Sequence, residues 1–320
     1  MFCNLCRKYH ILFKKRKRGN NLMATQHWLQ QSKEFVLRFA VSSPFPASWF
    51  YDVPQSTEID DITSPPEHIE IVSHCWNYSH LFVYQLKSLV DHAPKDFKVT
   101  LTGFYCPEDK ETVALIEEYA SKKIDNIEWN FVALEKNDLM RRAIGRNKAA
   151  KETKADWIWF TDCDLMFGEN TFPSLKEALS NESCILVFPE KVARTALLSK
   201  EHDVLCNGSE ISADECLKKA GYNYHTFSKA TGPVQITHGD TARRYGYCEQ
   251  TSCYQEPKDH WAKAYEDRAF RWLLGTHGKP LDIEDVSIIR HVEKGRYRKD
   301  SAFSEMRKAN RQAKDKLLTK

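Results

Sequence analysis

No apolar run in this 320-residue sequence approaches the ~18 residues needed to span a bilayer. The head, Met1 to Phe13, also lacks the form of a secretory signal. Its apolar stretch, Tyr9 to Phe13, is short, and no small-residue cleavage site precedes the basic run Lys14-Lys15-Arg16-Lys17-Arg18. A cytoplasmic chain is expected, membrane-peripheral at most through weak contact of that basic head. Net charge is scarce as well: 47 Lys and Arg stand against 44 Asp and Glu, leaving +3, with the basic excess confined to the two ends. That balance gives no reason to expect nucleic acid as a partner. Internal repeats and long low-complexity segments are missing too. Aromatic residues are plentiful, with 8 Trp, 13 Tyr and 17 Phe, which excludes a wholly solvated chain. The length fits one large domain or two ordinary ones.

Without an export signal, the ten cysteines (Cys3, Cys6, Cys75, Cys106, Cys163, Cys184, Cys206, Cys216, Cys248 and Cys253) read as reduced thiols. The Asn-x-Ser/Thr triplets at Asn77, Asn181 and Asn207 then read as chance matches. Cys3, Cys6 and His10 supply three zinc-type ligands where a closed site needs four. Residues 1–67 read as an N-terminal extension: a basic head, one amphipathic helix over His27 to Phe39, and a proline-rich piece that wraps a core in extended form.

From residue 69 a regular alternation begins. Strands are predicted at Ile69 to Cys75, Phe97 to Phe104, Ile127 to Ala133 and Trp157 to Thr161. Helices are predicted between them at Leu81 to Val90, Glu108 to Ser121 and Asn137 to Lys154. Strand starts about 30 residues apart have the length of βαβ units, so the fold class is α/β with a mostly parallel sheet flanked by helices. Such a sheet binds ligands beyond the carboxyl ends of its strands. After a strand at Cys184 to Phe188 the rhythm breaks. Residues 195–230 read as a polar, irregular insertion, Gly232 to His238 as a strand or loop, Ala264 to Leu274 as a helix and Val286 to His291 as a last strand. A basic tail, 296–320, follows.

The sharpest chemical feature is Asp162-Cys163-Asp164, directly after the fourth strand. Carboxylates two apart on extended backbone project to one side, where they suit a divalent cation sharing phosphate oxygens. The plainer alternative is a turn that ends the strand.

The segment Arg146 to Asp164, an Arg-Asn-rich helix followed by an apolar strand and Asp-x-Asp, resembles the signature of GT-A fold glycosyltransferases of the family 2 type. Gly232-Pro-Val-Gln235, Gly239-Asp240, Gly246-Tyr247, Trp261 and Glu266-Asp267 follow in the order of the acceptor side of inverting members. The resemblance spans about residues 69–295, and a GT-A (Rossmann-like) domain over 68–295 is expected. It implies transfer of a sugar from a nucleotide diphosphate sugar to a hydroxyl, with Mn²⁺ or Mg²⁺ as cofactor, in glycan or polysaccharide synthesis. Asp164 is then the direct metal ligand, Asp162 holds the ribose or a metal-bound water, and His291 completes the metal shell. Asp267 is the catalytic base. Donor contacts fall to Ser73, His74, Trp76, Asp109, Arg146 and Asp162, and acceptor contacts to Gln235, Trp261 and Glu266.

Each assignment has a bland counterpart. His291 is otherwise a satisfied histidine at a strand end. Glu266 and Asp267 otherwise stabilise a helix N-terminus, Arg142 and Arg146 otherwise form a solvated basic face, and Trp261 is otherwise core. A retaining glycosyltransferase, a sugar nucleotidyltransferase and a non-catalytic carbohydrate-binding protein remain as alternatives. The absence of glycine in His74-Cys-Trp-Asn77 counts against the nucleotidyltransferase.

Overall fold

The chain divides into two units, residues 1–46 and 47–320. The computed structural model describes residues 32–42, 44–59, 65–199, 201–208, 210–259 and 265–292, with 306, 309, 310 and 313 near the C-terminus. The basic head, Cys3, Cys6, His10, Trp261 and nearly all of the basic tail lie outside the described residues. In the first unit, residues 32–42 form a helix (α1) that exposes Phe35, Val36 and Phe39.

In the second unit the proline-rich piece is not wholly extended: it opens with a 3-10 turn at Ala47–Trp49. Its backbone bonds to Ser183 and Ile185 at residues 57–59, and Tyr51 sets its ring edge-on to Trp272, 5.7 Å between centroids. The βα alternation then follows as expected. His68–His74 (β1) buries Ile69, Ile71 and Val72 and also its polar Glu70, Ser73 and His74, as a strand must when both faces of its sheet are covered. Ser79–Asp91 (α2), Lys98–Tyr105 (β2), Lys110–Ala120 (α3) and Ile127–Ala133 (β3) come next. The expected long helix from Asn137 is instead two, Lys136–Leu139 (α4) and Arg142–Glu152 (α5). Arg141 breaks it by leaving helical backbone angles (φ −110°, ψ 88°), and its side chain is buried 3.5 Å from Glu266.

Trp157–Phe160 (β4) is wholly buried and pairs in parallel with β1, which pairs in parallel with β2, and β2 with β3. Leu165–Phe167 (β5), Thr171–Leu179 (α6), Leu186–Pro189 (β6), Lys191–Thr195 (β7), Asp203–Cys206 (α7), Ala213–Ala220 (α8) and Tyr222–Thr226 (β8) follow. Gln235–His238 (β9), Gly239–Tyr245 (α9), Glu266–Leu273 (α10), Lys279–Leu281 (β10) and Val286–Ile288 (β11) complete the order. The larger sheet has seven strands in the order β10-β6-β9-β4-β1-β2-β3, and only β9 runs against the rest. This is the expected mostly parallel α/β architecture.

Residues 195–230 are not irregular. They hold α7, α8 and β8, and β8 joins a second sheet in the order β5-β11-β7-β8. Val204, Leu205, Ile211, Ala213, Cys216 and Ala220 share one apolar cluster with Leu81 and Tyr84 of α2 and Met166 of β5. Ser212 caps α8 by accepting a hydrogen bond from the Glu215 amide at 3.2 Å, the Ser-x-x-Glu pattern of a helix start.

Candidate functional site

β4 delivers the aspartates. Its last backbone link, Thr161 N–H to the Val72 carbonyl (2.9 Å), ties the strand end to β1. The chain then turns: Asp162 and Asp164 face a cavity of about 230 Å³, while Cys163 points inward and is buried. This alternation accounts for the cysteine between them. Cys163 lies against Cys75, and that hydrogen-bonded contact, with burial, pushes its thiol pKa far up and keeps it protonated. The eight described cysteines are free.

The cavity is walled by Asp162, Asp164, Arg194, Pro233 and the run Ile288 to His291. The second sheet brings the last of these in. Ile289 N–H donates to the Asp164 carbonyl at 2.9 Å, pinning the strand β11 side of the cavity to the aspartate turn. His291 lies past β11 in a bridge with Leu198, its Nε2 4.0 Å from Asp164 Oδ2 and its ring edge-on to Tyr78. Two of the three expected metal ligands therefore stand together. Asp162 Oδ1 is turned to two arginines, ion-paired with Arg142 and 3.4 Å from Arg146 Nη2. Among the described residues no three His, Cys, Asp or Glu side chains converge as a complete metal cage. A carboxylate and an imidazole beside open space still fit Mn²⁺ or Mg²⁺, which take few protein donors when phosphate oxygens supply the others.

Arg146 is a buried clamp. Its Nη2 donates to the carbonyls of Thr161 and Gly232, both at 3.0 Å, and its Nη1 to the Tyr247 hydroxyl at 2.9 Å. Tyr247 passes its own proton to Gln235 Oε1 (2.8 Å), and Gln235 Nε2 donates to the carbonyls of Ala230 and Asp267. Arg142 keeps a raised pKa: burial works against its charge, and Asp162, then Glu266, outweigh it.

Asp267 sits on the first turn of α10, one step behind the cavity wall. A Cβ built on Gly232, next to wall residue Pro233, would lie 3.8 Å from the Asp267 Cβ. Its Oδ2 is 3.4 Å from Arg271, and its Oδ1 has no hydrogen bond or ion pair among the described residues. Glu266 and Gln235 face the interior. Burial pushes the Glu266 carboxyl up against the pull of Arg142 and Arg141.

Of the expected donor contacts, Ser73 is buried and donates to Gln85 at 2.6 Å, and Asp109 is spent as the cap of α3, accepting from Thr112 and from the Asn77 amide. Trp76 is half-buried with the Lys136 ammonium 4.8 Å above its ring. His74 is buried with both ring nitrogens unpartnered, and its pKa is driven well down by burial and then by Arg146 and Arg142, so it stays neutral. The sequence reading gave no role to Arg194, Arg290, Tyr247 or Arg141. Arg194 falls on a five-residue strand, Lys191–Thr195, whose burial does not alternate, so no local period marked it.

The sequence model of the family described as Glycosyl transferase family 2 matches residues 107–227. No curated protein sequence matches the chain. Among solved structures, the mannosyltransferase PcManGT from Pyrobaculum calidifontis, in complex with GDP-Man and Mn²⁺, is similar at 14% identity and a TM-score of 0.44, covering 91% of this chain and 73% of that one. TarS 1-349 from S. aureus in complex with UDP-GlcNAc is similar at 11% identity and a TM-score of 0.43, covering 70% of this chain. The chain spans 58% of that TarS chain's length. The matched segment, α3 to β8, contains Asp162, Asp164 and Arg194. The chain is thus similar to glycosyl transferase family 2 over that segment.

Proposed function

We propose that the protein moves a sugar from a nucleotide diphosphate sugar to an acceptor hydroxyl with inversion, as a step in glycan or polysaccharide synthesis. The observation that carries this reading is the meeting of Asp162, Asp164 and His291 in one cavity, although 127 residues separate Asp164 from His291 in sequence.

Asp164 and His291 would hold a divalent ion, Mn²⁺ or Mg²⁺. Bound there, the ion supplies neutralisation of the charge that grows on the departing diphosphate. Asp162, fixed by Arg142 and Arg146, faces the donor. Asp267 receives the acceptor proton on Oδ1, while Arg271 holds Oδ2. The Arg146 clamp keeps the aspartate turn and the Gly232 segment at a fixed separation, which positions acceptor-side and donor-side groups together. The basic head, 14–18, is assigned a weak contact with an anionic membrane surface from its charge alone.

The test is release of free nucleoside diphosphate from a panel of nucleotide sugars, with and without Mn²⁺. Metal-stimulated release from one donor is expected, and no release across the panel would sink the reading. Asp267→Asn should abolish transfer and leave nucleotide binding intact. Full transfer in that variant would move the mechanism to the retaining route.

A further inference from the structure

The cavity is lined by charges of both signs. Asp162 is already matched by Arg142 and Arg146. That leaves Asp164 on a wall that also presents Arg194, Arg290 and His291. Arg194 is the informative one. It rises from β7 beside the cavity, half-buried, with its guanidinium 4.8 Å from the ring of buried Phe227. Among the described residues that guanidinium makes no ion pair and no hydrogen bond. A partly desolvated charge without a counter-ion is costly, and a second guanidinium on the same wall adds to the cost. Burial first, and Arg290 second, accordingly depress the Arg194 pKa, with Asp164 opposing. A protein tolerates such a group where a ligand supplies the missing anion. A planar fork seated over an aromatic ring is preorganised for the oxygens of a tetrahedral anion.

We infer that Arg194, seated on Phe227, recognises a phosphate group in this cavity. The inference rests on the proposed function only in expecting phosphate there. That phosphate comes either from the donor's diphosphate or from a phosphate carried by the acceptor.

The experiment compares wild-type full-length chain with Arg194→Gln and Arg194→Lys by titration calorimetry. One arm titrates UDP and GDP with Mn²⁺. A second titrates inorganic phosphate, and a third titrates glycerol 3-phosphate into protein saturated with the better nucleotide and Mn²⁺. Arg194→Gln should weaken at least one phosphate probe by tenfold or more, and Arg194→Lys, a point charge without the fork, by a smaller factor. Loss in the nucleotide arm assigns the donor diphosphate. Loss only in the glycerol 3-phosphate arm assigns an acceptor phosphate. Unchanged affinities in all arms overturn the inference while leaving the proposed function standing. Failure of the wild type to bind either nucleotide tells against the proposed function. In that case phosphate binding that falls in Arg194→Gln still upholds the inference, and no phosphate binding overturns it. Should the glutamine variant not fold, the lysine variant decides: a loss of about threefold supports the inference and no loss refutes it.

Discussion

Replacing Arg146 by lysine keeps the charge and removes the fork, which separates electrostatic need from geometric need. The side chain is almost wholly inaccessible and makes three short bonds, to the Thr161 and Gly232 carbonyls and the Tyr247 hydroxyl. Hydrogen bonds involving a charged group contribute about 1.5–3 kcal/mol each. An ammonium at the end of a differently shaped stem cannot reach acceptors on three separate elements, so two of the three bonds are lost. Partial repacking offsets some of this, leaving a cost of roughly 3 kcal/mol on that scale. For a chain of this size each kcal/mol moves the melting temperature by about 2–4 °C, so Arg146→Lys should melt roughly 6–12 °C lower. Tyr247→Phe removes two links of the same chain, the bond from Arg146 and the bond to Gln235, and should cost about 2 kcal/mol. Differential scanning calorimetry at fixed pH reads both. A melting point for Arg146→Lys within about 1 °C of wild type would refute the clamp, because it would mean that charge alone suffices there.

Two further outcomes test the packing and the titration around the site. Gly145→Ala in mid-helix would ordinarily gain about 1 kcal/mol from propensity. Here the new Cβ would lie 2.3 Å from His74 Nε2 and 3.0 Å from the Phe104 ring. Overpacking of that kind costs about 1–3 kcal/mol, so urea unfolding should show net destabilisation, and a more stable variant would contradict the placement of His74. Glu70, buried and accepting from Thr102, has a raised pKa because burial disfavours its charge. Its native form binds a proton more tightly than the unfolded chain does. The stability it lends is present below the ordinary glutamate range and is lost as pH rises through the native value. Glu70→Gln should therefore gain relative to wild type between acidic and neutral pH in paired urea titrations. A gap that stays constant or closes with rising pH would count against the buried carboxylate.

In the parallel half of the large sheet β1 and β4 were legible because they are covered on both faces and read as largely apolar runs, as at Ile69 to Val72 and Trp157 to Phe160, while edge strand β3 is exposed at every second residue over most of its length. The second sheet was not, because β5, β7 and β11 are only three to five residues long and leave no period to detect. The helices at 203–206 and 213–220 are equally short, though the Ser212-to-Glu215 cap was readable. The break at Arg141 carries no local signal in the sequence, and the side chain there is buried against Glu266 on α10.

The same distinction divides the site. Asp162, Asp164 and Asp267 announce themselves because each follows a regular element or opens one, and local pattern shows where such ends fall. Arg194 and Tyr247 gain their meaning only from what lies across from them. Arg194 matters because Phe227, Arg290 and Asp164 come from three other segments of the second sheet and the β4 turn. Tyr247 matters because Arg146 and Gln235 meet at its hydroxyl from different sides. Buried arginine on a helix and solvated arginine on a helix have one sequence pattern. What separates them is the supply of acceptors at the other end of the side chain, and for Arg146 two of those acceptors are backbone carbonyls, which every residue carries. A clamp built on carbonyl oxygens leaves no trace in residue identity. The carboxylates of such a site are therefore readable from sequence, while the cations that hold them in register need the fold.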